Sequence, residues 1–289
     1  MTFVTRFAPS PTGPLHLGHA YSALLAYDRA RAVGGQFHLR IEDIDQTRSR
    51  PHWEDQIYED LRWLGLEWAP KILRQSDRSA TYGAALNALW RRGLLYPCRC
   101  TRRDILAASA APQEGVPSHG PDGLIYPGTC RPANGHASQD MPTQLPLRLN
   151  MARALASLPN PQDLSFEEAG DGPDTNRTIH LSPQTLRQSV GDIVLSRKDF
   201  LGSYHLSVVL DDAAQNVTHV IRGQDLFDAT QIHVLLQRLL DLPTPHYHHH
   251  RLIRDGAGKR LAKRDDARAI AKYRADGATP QDIRALVGL

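Results

Sequence analysis

Cysteine, lysine and long apolar runs are scarce in this 289-residue chain. Three cysteines are too few for a disulfide framework and read as free thiols or metal ligands. No apolar run approaches the roughly 18 residues of a membrane-spanning helix. The opening run MTFVTRFAPSPTGP places Arg6 and several prolines where a secretory signal would be apolar. A cytoplasmic location with no membrane partner is therefore expected. Only five lysines stand against 29 arginines, and two of the five, Lys259 and Lys263, share one short loop. A formal charge of +3 permits nucleic-acid contact without arguing for it.

What is present is ordinary globular texture, with 41% hydrophobic and 22% charged residues. The length suits one large α/β domain with an insertion and a short tail. Residues 2–8 read as a buried strand, 9–14 as a Pro/Gly loop, and about 19–33 as a helix ended by Gly34 and Gly35. QFHLRIEDID then alternates like a strand. Strand, loop, helix and strand in that order begin a parallel, doubly wound (Rossmann-type) sheet. Helices are expected at 51–65, 78–93, through ATQIHVLLQRLLDL, and near 267–275 and 280–287; VTHVIRG reads as a buried strand. DIVLSR and SYHLSVVLDD read only as apolar segments. Residues 98–190 hold all three cysteines and much Pro, Gly and Ser, and are expected to form an insertion with its own small fold, with loops at 107–124 and 132–142. The expected divisions are 1–97 and 191–250 for the halves of a nucleotide-binding domain, 98–190 for the insertion, and 251–289 for a basic loop and C-terminal helices.

The run RFAPSPTGPLHLGHA carries the first chemical signal. His16, Gly18 and His19 fall where the first helix opens, and free N–H groups and the positive helix end there suit phosphate. Gly18 leaves room for a flat base. A plain helix cap with two surface histidines is the bland alternative. The second signal is GKRLAKRDD. A mobile cation such as Lys263 would stabilise charge developing on a triphosphate more in the transition state than in the ground state. A solvated basic loop is its bland alternative.

Arg6 and Arg222, both at strand ends, suit a carboxylate; Glu42 suits an ammonium; Ser10 and Tyr204 offer hydroxyls. Alternatively, Arg6 is a surface charge and Glu42 pairs structurally with Arg222. Asp43 and Asp45 read as caps of the next helix. Cys98, Cys100 and Cys130 suggest a structural zinc whose fourth ligand, by ordinary ligand chemistry, would be His119 or His136. His246, His248, His249 and His250 form a weaker metal candidate, because consecutive strand residues alternate faces.

RFAPSPTGPLHLGH resembles the HIGH region of class I aminoacyl-tRNA synthetases, glutamyl branch, as do RIEDID at 40–45 and THVIRGQDL at 218–226. RLAK at 260–263 resembles the KMSKS signature, with Arg260 and Ala262 as departures. The resemblance implies ATP, with Mg2+, at His16, Gly18, His19 and Lys263. It implies glutamate held along Arg6, Phe7, Ala8, Pro9 and Ser10 and by Glu42, Tyr204 and Arg222. It also points to Tyr126 as fourth zinc ligand, in the pattern C-x-C…Y-x-x-x-C. About 25 residues follow Lys263, where full-length glutamyl-tRNA synthetases continue into an anticodon-binding region. The chain therefore resembles the truncated paralogues that activate glutamate without tRNA. These attach it to queuosine in the anticodon stem-loop of tRNA(Asp). A monomer is expected. The rivals are a truncated glutamyl-tRNA synthetase charging tRNA(Glu) and a non-catalytic paralogue binding glutamate or RNA.

Overall fold

The structure is a computed structural model and describes residues 2–109, 118–133, 140–171, 177–254 and 268–289. Strand β1 (Val4–Phe7) is buried throughout, and helix α1 (Leu17–Ala32) follows the Pro/Gly loop. Ala20, Ala23, Ala26 and Ala30 are buried along α1, so small side chains let it lie close to the strands. The helix ends at Gly34, whose φ of +64° favours glycine. At Gly35 a Cβ would sit 2.4 Å from the Phe3 carbonyl oxygen, so only glycine lets the chain turn against β1. Strand β2 (Gln36–Ile41) pairs in parallel with β1, Arg6 opposite His38. Helix α2 (Pro51–Trp63) starts with a proline whose missing N–H is harmless in a first turn. Strand β3 (Leu73–Arg74) joins β2 in parallel before α3 (Ser79–Arg91).

The middle of the chain contributes β4 (Leu95–Pro97), α4 (Arg102–Ser109), the hairpin β5 (His119–Gly120) and β6 (Gly123–Leu124), β7 (Leu147–Leu149) and α5 (Met151–Ala156). It continues with β8 (Ser165–Glu168), β9 (Arg177–His180), a helical turn α6 (Pro183–Thr185) running into a π-turn at Leu186–Val190, and β10 (Val194–Ser196). Then come α7 (Tyr204–Ala214), β11 (His219–Gly223), α8 (Thr230–Leu239) and β12 (His246–His250). Helices α9 (Ile270–Ala275) and α10 (Pro280–Val287) finish the described chain. None of the described helices is long and apolar enough to cross a membrane.

Strand β11 pairs in parallel with β12, and β12 in parallel with β8. This set meets β1 where the Thr218 N–H donates to the Val4 carbonyl at 2.9 Å and the Val4 N–H donates to the Thr218 hydroxyl at 2.8 Å. The carboxyl ends of β1, β2, β11 and β12 thus gather at one edge. The junction of β1 and β11 is a switch point of the kind where open α/β sheets bind ligands.

SYHLSVVLDD, read only as an apolar segment, is mostly the helix α7, whose apolar residues are buried on several sides, and two expectations change. Of the loops expected at 107–124 and 132–142, the first contains the end of α4 and a hairpin; residues 110–117 and 134–139 lie outside the described set. The stretch 98–190 also shares its packing with the rest. Strand β7 lies between β4 and β10, and β8 extends the β11–β12 sheet. One hydrophobic core runs from Tyr82 and Leu95 through Leu149 and Phe166 to Leu206 and Leu236. A second core lies around α1 and takes in Ile270 and Ile283 of the C-terminal helices.

Candidate active site and metal centre

At the opening of α1 the two histidines are held by the backbone. His16 is the N-cap, and its Nδ1 accepts from the Gly18 N–H at 3.1 Å. His19 Nδ1 accepts from the His16 N–H at 3.1 Å, and the two rings lie 3.8 Å apart. A neutral imidazole that accepts at Nδ1 carries its proton on Nε2. Each ring's N–H therefore lies at Nε2. Gly18 has a second role beyond leaving room for a base. A Cβ there would meet the His16 ring at 3.1–3.2 Å, so glycine is needed for the cap itself.

His16, Gly18 and His19 line a cavity of about 600 Å3 together with Arg6, Glu42 and Arg222. An adjoining cavity of about 460 Å3 takes in Pro9, Ser10 and Asp45. Phe7, Ala8, His19, Glu42 and Tyr204 belong to both. All described residues expected to hold ATP and glutamate therefore meet in one cleft. Lys263 lies outside the described residues. The described residues on either side of its loop do reach the cleft. Leu252 and Ile253 line it, and Ala269 bridges to His16 as Ile270 N–H donates to the Leu15 carbonyl at 2.9 Å.

The bland alternatives for the arginines do not hold. Arg6 is buried, and its Nε donates to Asp212 Oδ1 at 2.8 Å. The same oxygen accepts from Arg40, a fully buried residue, at 2.7 Å. Glu42 pairs with Arg40 at 3.3 Å, not with Arg222. Burial pushes the Glu42 carboxyl upward, against the pull of Arg40 and Arg6. Burial works the same way on Asp212, but Arg6 and Arg40 outweigh it and hold that carboxyl below its usual range. Burial raises the Tyr204 hydroxyl, which keeps its proton as a donor.

Arg222 differs. It is 6% exposed, and among the described residues no carboxylate pairs with it. Its Nε donates to His249 at 3.1 Å, one terminal nitrogen meets His233 at 3.1 Å, and the other donates to Thr230 at 2.8 Å and to the Leu226 carbonyl at 3.2 Å. A guanidinium among neutral partners keeps its full charge toward the cleft.

Asp43 and Asp45 do not cap α2, whose N-cap is Arg50. Asp43 accepts from the Ser76 N–H and hydroxyl at 2.8 and 2.6 Å, tying β2 to the turn after β3. Asp45 accepts from Thr47 and Arg48, both at 2.6 Å. The histidine run disperses. His249 meets Arg222, His250 meets the Ser22 hydroxyl at 2.5 Å, His248 meets the Ala169 carbonyl at 2.8 Å, and His246 stacks on His219.

The three cysteine sulfurs lie within 4.8 Å of one another. The Tyr126 hydroxyl lies 3.5 Å from Cys98 Sγ and 3.3 Å from Cys100 Sγ, and accepts from the Cys130 N–H at 2.8 Å. Ligands on one tetrahedral zinc would be spaced by roughly 3.5–3.8 Å, so the four donors fit a single ion. Cys130 is the readiest thiolate. Burial opposes its ionisation, but hydrogen bonds led by Tyr126 outweigh that and bring the thiol down to about 7. The Arg148 guanidinium lies 3.9 Å over the Tyr126 ring, and burial, followed by the hydrogen bonds to the cysteine thiols, pushes the phenol well above its usual range. His119 is not in this group and turns its Nδ1 to Ser118 at 3.0 Å. His136 lies outside the described residues.

Sequence reasoning missed Arg40, Asp212, His233 and Glu168, and named His249 only within a weak metal candidate. One signal was available. Asp211 and Asp212 sit in the last turn of α7, where acids oppose the helix dipole, so they demanded tertiary partners.

The chain is similar to several known proteins. A family model described as tRNA synthetases class I (E and Q), catalytic domain, matches residues 2–120 and 174–289. A glutamyl-Q tRNA(Asp) synthetase of Rhodobacter capsulatus is 59% identical over 291 residues, covering 99% of this chain and 100% of that protein. Another of that name from Symbiobacterium thermophilum is 42% identical, covering 96% of this chain and 83% of its own. Among solved structures, a glutamate tRNA ligase of Elizabethkingia meningosepticum in complex with its amino acid superposes with a TM-score of 0.73 at 27% identity. All of this chain is covered in that superposition, which spans 61% of the ligase.

Proposed function

The chain belongs to the glutamyl-Q tRNA(Asp) synthetases, within the class I glutamyl and glutaminyl synthetase family, and from that premise we propose a two-step reaction. First, L-glutamate and ATP give glutamyl-adenylate without tRNA. The glutamate is then passed to queuosine at the wobble position of tRNA(Asp). In the first step an α-carboxylate oxygen of glutamate attacks the α-phosphorus, and the bond to the leaving pyrophosphate breaks. In the second, a hydroxyl of the queuosine cyclopentenediol attacks the acyl carbon and AMP leaves.

The observation that carries the glutamate reading is the unbalanced Arg222 guanidinium, buried at the edge of the cleft. It is the natural partner of the side-chain carboxylate. Glu42 faces the ammonium, and Tyr204 and Ser10 complete the pocket with Arg6 and the backbone from Phe7 to Pro9. His16 and His19 donate from Nε2 toward the phosphates at the α1 N-terminus, and the missing Cβ of Gly18 leaves the base room. Lys263 is proposed as the cation that meets the same phosphates. Lys263→Ala should slow adenylate formation far more than it raises the KM for glutamate. Magnesium accompanies ATP. Zinc is proposed at Cys98, Cys100, Cys130 and Tyr126, where it would tie β4 to the segment after the β5–β6 hairpin; elemental analysis of the purified protein tests it.

Pyrophosphate exchange in the absence of tRNA tests the first step, and exchange that requires tRNA would overturn it. Charging of queuosine-containing tRNA(Asp), unmodified tRNA(Asp) and tRNA(Glu) tests the second. Label on tRNA(Glu) would instead favour a conventional glutamyl-tRNA synthetase.

A further inference from the structure

Arginine donates hydrogen bonds and accepts none, so its contacts fix the tautomers of both histidines that touch Arg222. His249 must accept at Nε2 and carry its proton on Nδ1, which it gives to Glu168 Oε2 at 2.5 Å. Glu168 is fully buried, and its other oxygen accepts from the His249 and Gly170 N–H groups at 3.0 and 2.7 Å. On the other side, His233 must accept at Nδ1 and carry its proton on Nε2, which reaches His205 Nδ1 at 3.1 Å. His205 then carries its proton on Nε2, 3.2 Å from Asp122 Oδ1. The counter-charges of Arg222 are thus displaced, one imidazole away at Glu168 and two away at Asp122.

Asp122 sits at the tip of the β5–β6 hairpin, far from Arg222 in sequence. Its placement is fixed by glycine, because a Cβ on Gly120 would lie 2.0 Å from the Ser189 carbonyl oxygen. The hairpin therefore docks on the π-turn beside α8, the helix that bears His233. A direct Arg–carboxylate pair would hold the guanidinium equally well but would compete with a ligand carboxylate. The imidazole relays hold it while leaving its charge available. At most four of its five N–H groups are used by the protein.

We propose that His249, His233, His205 and Asp122 are positioning residues that aim Arg222 at the side-chain carboxylate and so set the preference for glutamate over glutamine. The insertion hairpin would then reach the amino-acid pocket through two histidines. This rests on the glutamate reading of the cleft given above.

The test uses the full chain in pyrophosphate exchange. Asp122 is half-exposed at a hairpin tip, so Asp122→Ala should fold. It should raise the KM for glutamate about fivefold and leave the KM for ATP and kcat at saturating glutamate unchanged. Asp122→Asn keeps an acceptor for His205 and should restore the KM. His233→Leu strands an Arg222 donor and should raise the same KM by about tenfold or more while narrowing the ratio of glutamate to glutamine activation. A KM for glutamate unchanged in both Asp122→Ala and His233→Leu would overturn the relay. Arg222→Ala separates the two ideas. If it also leaves that KM unchanged, the glutamate pocket itself is misassigned; if it raises the KM and the other two do not, only the relay falls.

Discussion

The two arginines of the cleft are buried to nearly the same degree and behave in opposite ways. Arg6 and Arg40 share Asp212, and Arg40 also pairs with Glu42, so two carboxylates face two guanidinium groups at that end of the cleft. Arg222 has imidazoles where Arg6 has a carboxylate. A buried cation that is already paired mostly serves the fold; one that is not serves a ligand. The comparison makes Arg222 the proposed partner of an anionic ligand group.

The largest expected effect would break the Arg6 side. Asp212→Ala leaves two buried guanidinium groups without their shared partner and should cost about 3–5 kcal/mol of stability, read from urea unfolding. At the other end the pattern should invert. Arg222→Met should lower kcat/KM for glutamate by about two to three orders of magnitude, the cost of truncating a buried charge contact. The same variant without glutamate loses hydrogen bonds to His249, His233 and Thr230 but no ion pair, so its Tm should fall less than that of Asp212→Ala. A large fall in its Tm would show that Arg222 is structural after all.

Acid should separate the two ends as well. Burial, followed by Arg222 and His205, holds His233 well below the ordinary imidazole value, and burial also lowers His249. In the unfolded chain both take up protons below about pH 6.5. The unfolded state then binds more protons than the native one, so stability is fully present above that pH and falls as pH drops. The slope approaches about 1.4 kcal/mol per pH unit for each such histidine. Asp212 is depressed in the folded state, so its contribution is intact above the ordinary carboxylate value near 4 and is lost only as pH falls through its folded value. Unfolding midpoints followed from about pH 7 down to about pH 2 should thus fall in two stages, the second below the ordinary carboxylate value, and His233→Leu should flatten the first. The smallest effect is the control. Arg284 pairs with Asp28 at 2.7 and 2.9 Å in a half-exposed setting, and Arg284→Ala should cost no more than about 1 kcal/mol.

Much of this was legible in the chain, and for physical reasons. The strand, Pro/Gly loop and helix from Val4 to Ala32 are encoded locally by apolar spacing and glycine, and the His16–Gly18–His19 cluster follows from its place at a helix start. The grouping of Cys98, Cys100 and Cys130 as metal-ligand candidates rests on residue type and spacing, so the sequence could nominate it. Arg6, Glu42 and Arg222 were nominated because strand ends in a parallel sheet face the ligand edge, and Tyr204 was named only for its hydroxyl.

Their partners were not legible. Asp212 lies 206 residues from Arg6, Glu168 lies 81 from His249, and Asp122 lies 83 from His205. No local pattern encodes a pairing across such distances, because which carboxylate meets which cation depends on strand register and helix docking. The amino-acid sequence therefore determined which chemical groups stand at the sheet edge. Tertiary packing alone decided that one arginine would be neutralised and the other left charged, because a charge is balanced by whatever folding brings within a few ångströms of it.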